Sequence, residues 1–160
     1  MGNENFKDEF PKLIKNFANY KNVIQGCSKK TVEEYLLDLR TFCRYLVAVR
    51  DGIATNGKEF ENIDISGLDT DFFERVSSTD IYDFLSFIGN ERENSSRSRA
   101  RKLSAIKQFY KYCTAKQMLF ENNPAINIES PKIGQTLPKY LSLDESLDLL
   151  GSVAADIASK

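Results

Sequence analysis

The chain has 160 residues, 41% apolar and 11% aromatic, with 22 Lys or Arg against 23 Asp or Glu and no His. That apolar content suffices for one main core, and no run approaches the roughly 20 apolar residues that a membrane span requires. Without histidine the commonest general base and the commonest metal ligand are both missing, so hydrolytic triads and zinc sites are not expected.

The opening MGNENFKDEF lacks the basic and apolar regions of a signal peptide, and the Met-Gly start lacks the Ser or Thr that favours myristoylation. A cytoplasmic protein is expected. Phe6, Phe10, Leu13, Phe17, Tyr20 and Ile24 recur at spacings of four and three, which lines one face of a first helix, with Pro11 near its start. Ser28 or Thr31 caps a second helix, and Thr31 with Glu34 has the spacing of a capping box. The buried stripe of this helix is Val32, Leu36, Leu39, Cys43 and Leu46, widened by Tyr35, Phe42 and Val49. Residues 51–76 hold three glycines, several acids and scattered apolar residues, and read as a variable surface excursion with a short helix near Phe72 and Phe73. Ser77 to Thr79 cap a third helix carrying Ile81, Phe84, Leu85 and Ile88 and ending near Gly89. The serine cluster Ser95, Ser96 and Ser98 opens a fourth, in which Leu103, Ile106, Phe109 or Tyr110, and Cys113 face the core.

Four amphipathic helices without strand-like alternation predict an all-α bundle. Asn122, Asn123, Pro124, Pro131 and Pro138 then break the pattern, so a helical domain over 1–120 is followed by an extended linker over 121–141. At 142–160, Ser142 and Glu145 form another capping box before Leu143, Leu147, Leu150 and Val153, the first helix of a second domain of which little follows. The three cysteines leave one unpaired in any disulfide scheme and match no metal motif; Cys43 and Cys113 lie on apolar faces as small hydrophobes. No metal, cofactor or small-molecule substrate is expected.

The near-neutral total conceals a polarity. Residues 94–120 carry seven cations (Arg97, Arg99, Arg101, Lys102, Lys107, Lys111 and Lys116) and no acid, whereas 51–93 carry eleven acids against Lys58, Arg75 and Arg92. Like charges four apart repel by a few tenths of a kcal/mol, and cations at a helix N-terminus oppose the macrodipole. Something outside the fold is expected to favour them, and a polyanion is the natural candidate. Lys and Arg neutralise phosphates, while Ser95, Ser96, Ser98 and Ser104 supply donors. The competing reading pairs these cations internally with the acidic segment, although surface pairs contribute only about 0–1 kcal/mol each.

The series from Ala100 to Tyr110 (ARKLSAIKQFY), followed by Asn123-Pro124 and Leu137-Pro138, resembles the Arg-x-Leu-Ser-Ala-x-Arg-x-Phe, Asn-Pro, Leu-Pro series of the Xer-like tyrosine site-specific recombinases or integrases. Ser28, Thr31, Tyr35, Asp38-Leu39 and Phe42 resemble the pattern of their N-terminal core-binding domain. The resemblance implies a four-to-five-helix, SAM-like bundle forming half of a clamp on double-stranded DNA, its second and fourth helices meeting the groove and backbone. The DNA-binding residues it implies are Ser28, Lys29, Lys30 and Thr31, then Ser96, Arg97, Ser98, Arg99, Arg101, Lys102, Ser104, Lys107 and Lys111, with Arg40 and Arg44 on the flank. Lys107 stands where the family usually has arginine; lysine is a point charge without the planar fork, so what the resemblance implies there is a phosphate contact.

In such recombinases a tyrosine of the second domain attacks the scissile phosphate. No catalytic residue is expected among the residues here, and Tyr35, Tyr110 and Tyr112 read as core or flank. The implied partners are DNA and further recombinase protomers. A fragment of a longer recombinase, a truncated gene product and a recombinase-like regulator all fit the sequence, and the alternative function is a helical protein-interaction module whose basic helix docks an acidic partner.

Overall fold

The computed structural model describes residues 6–90 and 96–129, all of which belong to one unit of the chain, Met1–Ser130. Among them the regular structure is helical, without a strand: α1 (Lys12–Asn19), α2 (Lys29–Asp51), α3 (Lys58–Glu61), α4 (Thr70–Glu74), α5 (Ser78–Asn90) and α6 (Ser96–Lys111). The helices α1 and α6 each run on into a π turn, Tyr20–Ile24 and Tyr112–Lys116. The long helix α2 is central, packing against α1, α5 and α6. No helix among the described residues is long and apolar enough to cross a membrane. The helix expected at 142–160 lies outside the described residues.

Local chemistry explains the helix ends. Ser28 is extended and its Oγ accepts from the Thr31 amide at 3.1 Å, so Ser28 is the cap and Thr31 the third helical residue. Gly52 ends α2 at φ +72°, where the absent Cβ removes the usual penalty, and the Ile53 amide donates to the Ala48 carbonyl. At the start of α5 the Ser77 amide donates to Asp80 Oδ2 and the Asp80 amide to Ser77 Oγ, a reciprocal capping box.

The expected stripes fill the core, with two shifts. On α2, Val49 is exposed and Val47 and Ala48 are buried instead. A 3.5-residue repeat holds one face only if the helix supercoils; a straighter helix drifts, so its inward face runs from Cys43 to Val47. On the first helix the stripe holds to Tyr20 and fails at Ile24, which is 70% exposed. The π turn, closed by Gln25 N–H donating to the Tyr20 carbonyl, advances less per residue than an α-helix and leaves Ile24 short of the face.

The segment 51–76 is not the surface excursion its composition suggested. Phe60, Ile63, Ile65, Phe73 and Val76 are buried, and Tyr110 of α6 donates its hydroxyl to the Phe73 carbonyl at 2.7 Å in the interior. The scattered apolar residues are anchors. The Phe73 ring meets Phe109 edge-on at 5.1 Å, and Phe109 meets Phe17 at 5.5 Å, so one aromatic chain links the segment through α6 to α1. Packing also runs past Phe120, with Ala125 and Ile128 buried.

Removing these anchors is expected to be costly. Phe60→Ala and Phe73→Ala should each lose about 3–5 kcal/mol in urea titration, whereas a loose excursion would lose almost nothing. Burial also sets a pH limit. It pushes the Cys113 thiol from 9.0 up to about 12, the Cys43 thiol higher still, and the Tyr110 hydroxyl well above 10.0. The folded state therefore holds more protons than the unfolded one once pH exceeds 9.0, and stability falls as pH rises through that window. Unfolding midpoints should fall less steeply above pH 9.0 in Cys43→Ala/Cys113→Ala than in the parent.

Candidate nucleic-acid interface

Asp38 sits between the buried stripe positions Leu36 and Leu39, which turns its carboxylate toward α6. It is 2% exposed. Its Oδ1 accepts from Lys102 Nζ at 2.9 Å and from Arg101 Nη2 at 3.0 Å, and its Oδ2 from Arg101 Nε at 3.1 Å. The hydrogen bonds to Asp38 raise the Arg101 pKa, against a smaller opposing effect of burial, with the charges of Asp38 and Glu34 reinforcing the rise. The outward ridge expected over 97–111 is thus not wholly outward. Lys102, 8% exposed, belongs to the core. Arg101 shares the carboxylate but keeps 55% of its side chain exposed.

Other predicted contacts are engaged within the fold. Arg40 donates to Glu9 at 2.7 Å with its guanidinium 5.6 Å from the Phe6 ring centre, and so ties α2 to the start of the chain. Arg44 donates to the Ile63 carbonyl at 3.3 Å and lies 3.7 Å from Glu61, and so fastens the 51–76 segment. These two flank residues are clamps inside the domain. Arg99 lies across Gly89 of α5 and donates to Ser96 Oγ. Ser28 is occupied as a cap, and Ser98 is half-buried.

What remains outward is a narrower set. Arg97, Ser104 and Lys111 are exposed at steps of seven along α6, with Arg101 between them and Lys107 half-exposed alongside. Among the described residues no carboxylate lies within ion-pair distance of Arg97, Lys107 or Lys111; the acids of 51–93 that form ion pairs there do so with Arg44 and Arg50. Asp38 meets Arg101 and Lys102, while Tyr35 and Gln108 lie on either side of Lys21, so α2 and α6 run antiparallel. This brings the exposed Lys30 and Thr31 at the start of α2 toward the Lys111 end of α6, whereas Lys29 borders a cavity with Phe6, Ala18 and Asn22 on the α1 side. Among the described residues no group of acids and cysteines could hold a metal.

Sequence reasoning missed two residues. Lys21 is buried at the joint of α1, α2 and α6, and Gln108 on the stripe of α6 is its partner at 2.9 Å. Nothing in the spacing of Lys21 marks it, because the π turn places it.

The central carboxylate gives a stability test. Asp38→Ala leaves the Lys102 ammonium buried without a counter-charge and should cost about 3–5 kcal/mol in chemical denaturation. Arg97→Ala should stay within about 0.5 kcal/mol of the parent.

Residues 67–117 match the family model described as phage integrase, N-terminal SAM-like domain. The chain is 38% identical over 145 residues to the tyrosine recombinase XerC of Caldanaerobacter subterraneus subsp. tengcongensis, covering 91% of this chain and 41% of that protein. It is 33% identical to the tyrosine recombinase XerD of Listeria monocytogenes serotype 4b, over 88% of this chain and 40% of the relative. Against the tyrosine recombinase XerC of Myxococcus xanthus the identity is 33%, over 86% and 39%. The chain therefore spans about two fifths of the length of these relatives. No solved structure matches it significantly. The chain is thus all-helical among the described residues, matches the SAM-like model over residues 67–117, and is similar over most of its length to part of the tyrosine recombinases XerC and XerD.

Proposed function

We propose that this chain grips duplex DNA at a recombination site, through the outward faces of α6 and the start of α2. Cutting and rejoining belong to a catalytic domain outside the chain, and further protomers assemble on the same DNA. The observation that carries the reading is the division of α6. Its inner cations, Arg101 and Lys102, are held by Asp38, while Arg97, Lys107 and Lys111 carry charge on the outer side with no carboxylate beside them among the described residues. Unopposed cations along one helix face neutralise phosphates and release counterions. Arg97 has the planar fork that reads guanine bidentately; Lys107 and Lys111 act as point charges on the backbone. Ser104 and Thr31 add hydroxyl donors.

The grip has a salt signature. With about five phosphates contacted, log affinity should fall against log salt with a slope of roughly −4.5. Arg97→Ala, Lys107→Ala and Lys111→Ala should each make that slope shallower by about 1, and Arg40→Ala and Arg44→Ala should leave it unchanged. Fluorescence anisotropy with a labelled duplex measures both. Equal slopes in the parent and in the triple variant would defeat the reading. An acidic protein partner would show similar salt dependence, so excess unlabelled duplex is the separating competitor: it displaces a DNA complex and spares a protein one.

A further inference from the structure

The joint of α1, α2 and α6 buries a positive charge with no negative partner. Lys21 is 5% exposed, yet its ammonium meets only neutral groups among the described residues: Gln25 Oε1 at 2.6 Å, Gln108 Oε1 at 2.9 Å and the Tyr35 ring, whose centre is 5.2 Å away. An ammonium only donates hydrogen bonds. Both amides must therefore turn their oxygens inward, which directs both NH2 groups away from Lys21. Gln25 gives its NH2 to the Tyr20 hydroxyl at 3.3 Å. The NH2 of Gln108 has no protein acceptor among the described residues.

Gln108 stands on the outward stripe of α6, four residues after Ser104 and three before Lys111. It lines a cavity of about 20 Å³ with Lys111, Lys116, Gln25 and the rings of Tyr20 and Tyr112. That volume admits about one oxygen atom and no whole phosphate group. An anionic oxygen entering it meets the fixed donor of Gln108, two lysines at the rim and the uncompensated charge of Lys21 beneath. A buried cation without a counter-charge is unfavourable, and an anionic oxygen relieves it.

We infer that this cavity is a seat for one phosphodiester oxygen of the DNA backbone. Gln108 is its donor and Lys21 is the positioning residue that orients the amide. The seat rests on the DNA-binding reading above and adds to it a register point: a place where the backbone must present an oxygen, at the end of α6 nearest the start of α2. With its oxygen held by Lys21, Gln108 offers donors to the ligand, which suits phosphate and removes the donor-acceptor pair that a glutamine uses to read adenine.

The test uses the full chain and mixed-sequence duplexes, with anisotropy and thermal unfolding measured together. Gln108→Glu should unfold no earlier than the parent, because its carboxylate takes the same place on the Lys21 ammonium. Its Kd should nevertheless rise about tenfold, equally for unrelated sequences. Gln117→Glu adds the same charge at an exposed position beyond the π turn and should change Kd by less than about threefold. Lys21→Met should weaken binding in the parent and have no effect in a Gln108→Met background, since it acts through that amide. Unchanged affinity in Gln108→Glu, a loss confined to particular base sequences, an equal loss in Gln117→Glu, or an additive Lys21→Met effect would each overturn the seat. Absence of duplex binding by the parent would overturn the underlying reading and the seat with it. Binding that Lys107→Ala weakens and Gln108→Glu does not would overturn the seat alone.

Discussion

One carboxylate sets how the basic helix lies on the domain. Arg101 and Lys102 are consecutive, so their side chains leave α6 about 100° apart, and a single group that meets both must lie between those directions. Asp38 does so from α2, with all three of its contacts at 2.9–3.1 Å. The rotation of α6 is thereby fixed, and its outer face follows from it. Buried ion pairs contribute little net stability, because desolvation offsets the attraction, yet the cost of any other register is large. Orientation is what this interaction supplies.

That constraint gives the charge asymmetry its meaning. Cations in the first turns of α6 oppose the helix dipole and repel one another, and Asp38 compensates two of them, Arg101 and Lys102. Arg40 and Arg44, which look equivalent in the sequence, are engaged with Glu9 and with the Ile63 carbonyl and Glu61. On α6 itself, Arg97, Arg101 and Lys111 remain exposed along one stripe, with Lys107 half-exposed beside it. The proposed grip on DNA accounts for that outward charge.

The same helix is held from the other side by aromatic packing. Tyr110 reaches the Phe73 carbonyl, Phe109 touches Phe73 and Phe17, and Tyr112 lies against Phe17 and Tyr20. The 51–76 segment is therefore a wall of the core on which α6 rests. The match to the SAM-like family model begins at residue 67, inside this segment, in keeping with its structural part.

Much was legible in the chain itself. The four long helices, the short stretches that hold their caps (Ser28 or Thr31, and Ser77 to Thr79) and most buried positions follow from spacing, because helical periodicity and capping are local properties; the structure chose Ser28 over Thr31. The family resemblance followed from the order of short motifs. The segment 51–76 was not legible, since isolated apolar residues such as Phe60 and Ile65 become core only when distant helices meet them. Within the site, the sequence specified that the cations cluster, whereas tertiary packing decided which of them face outward. The pairing of Asp38 with Arg101 and Lys102 was not legible, since only the approach of α6 brings them together. The burial of Lys21 and its hold on Gln108 depend on a π turn and on a contact across 87 residues, and no local pattern encodes a distance between side chains that far apart in the chain.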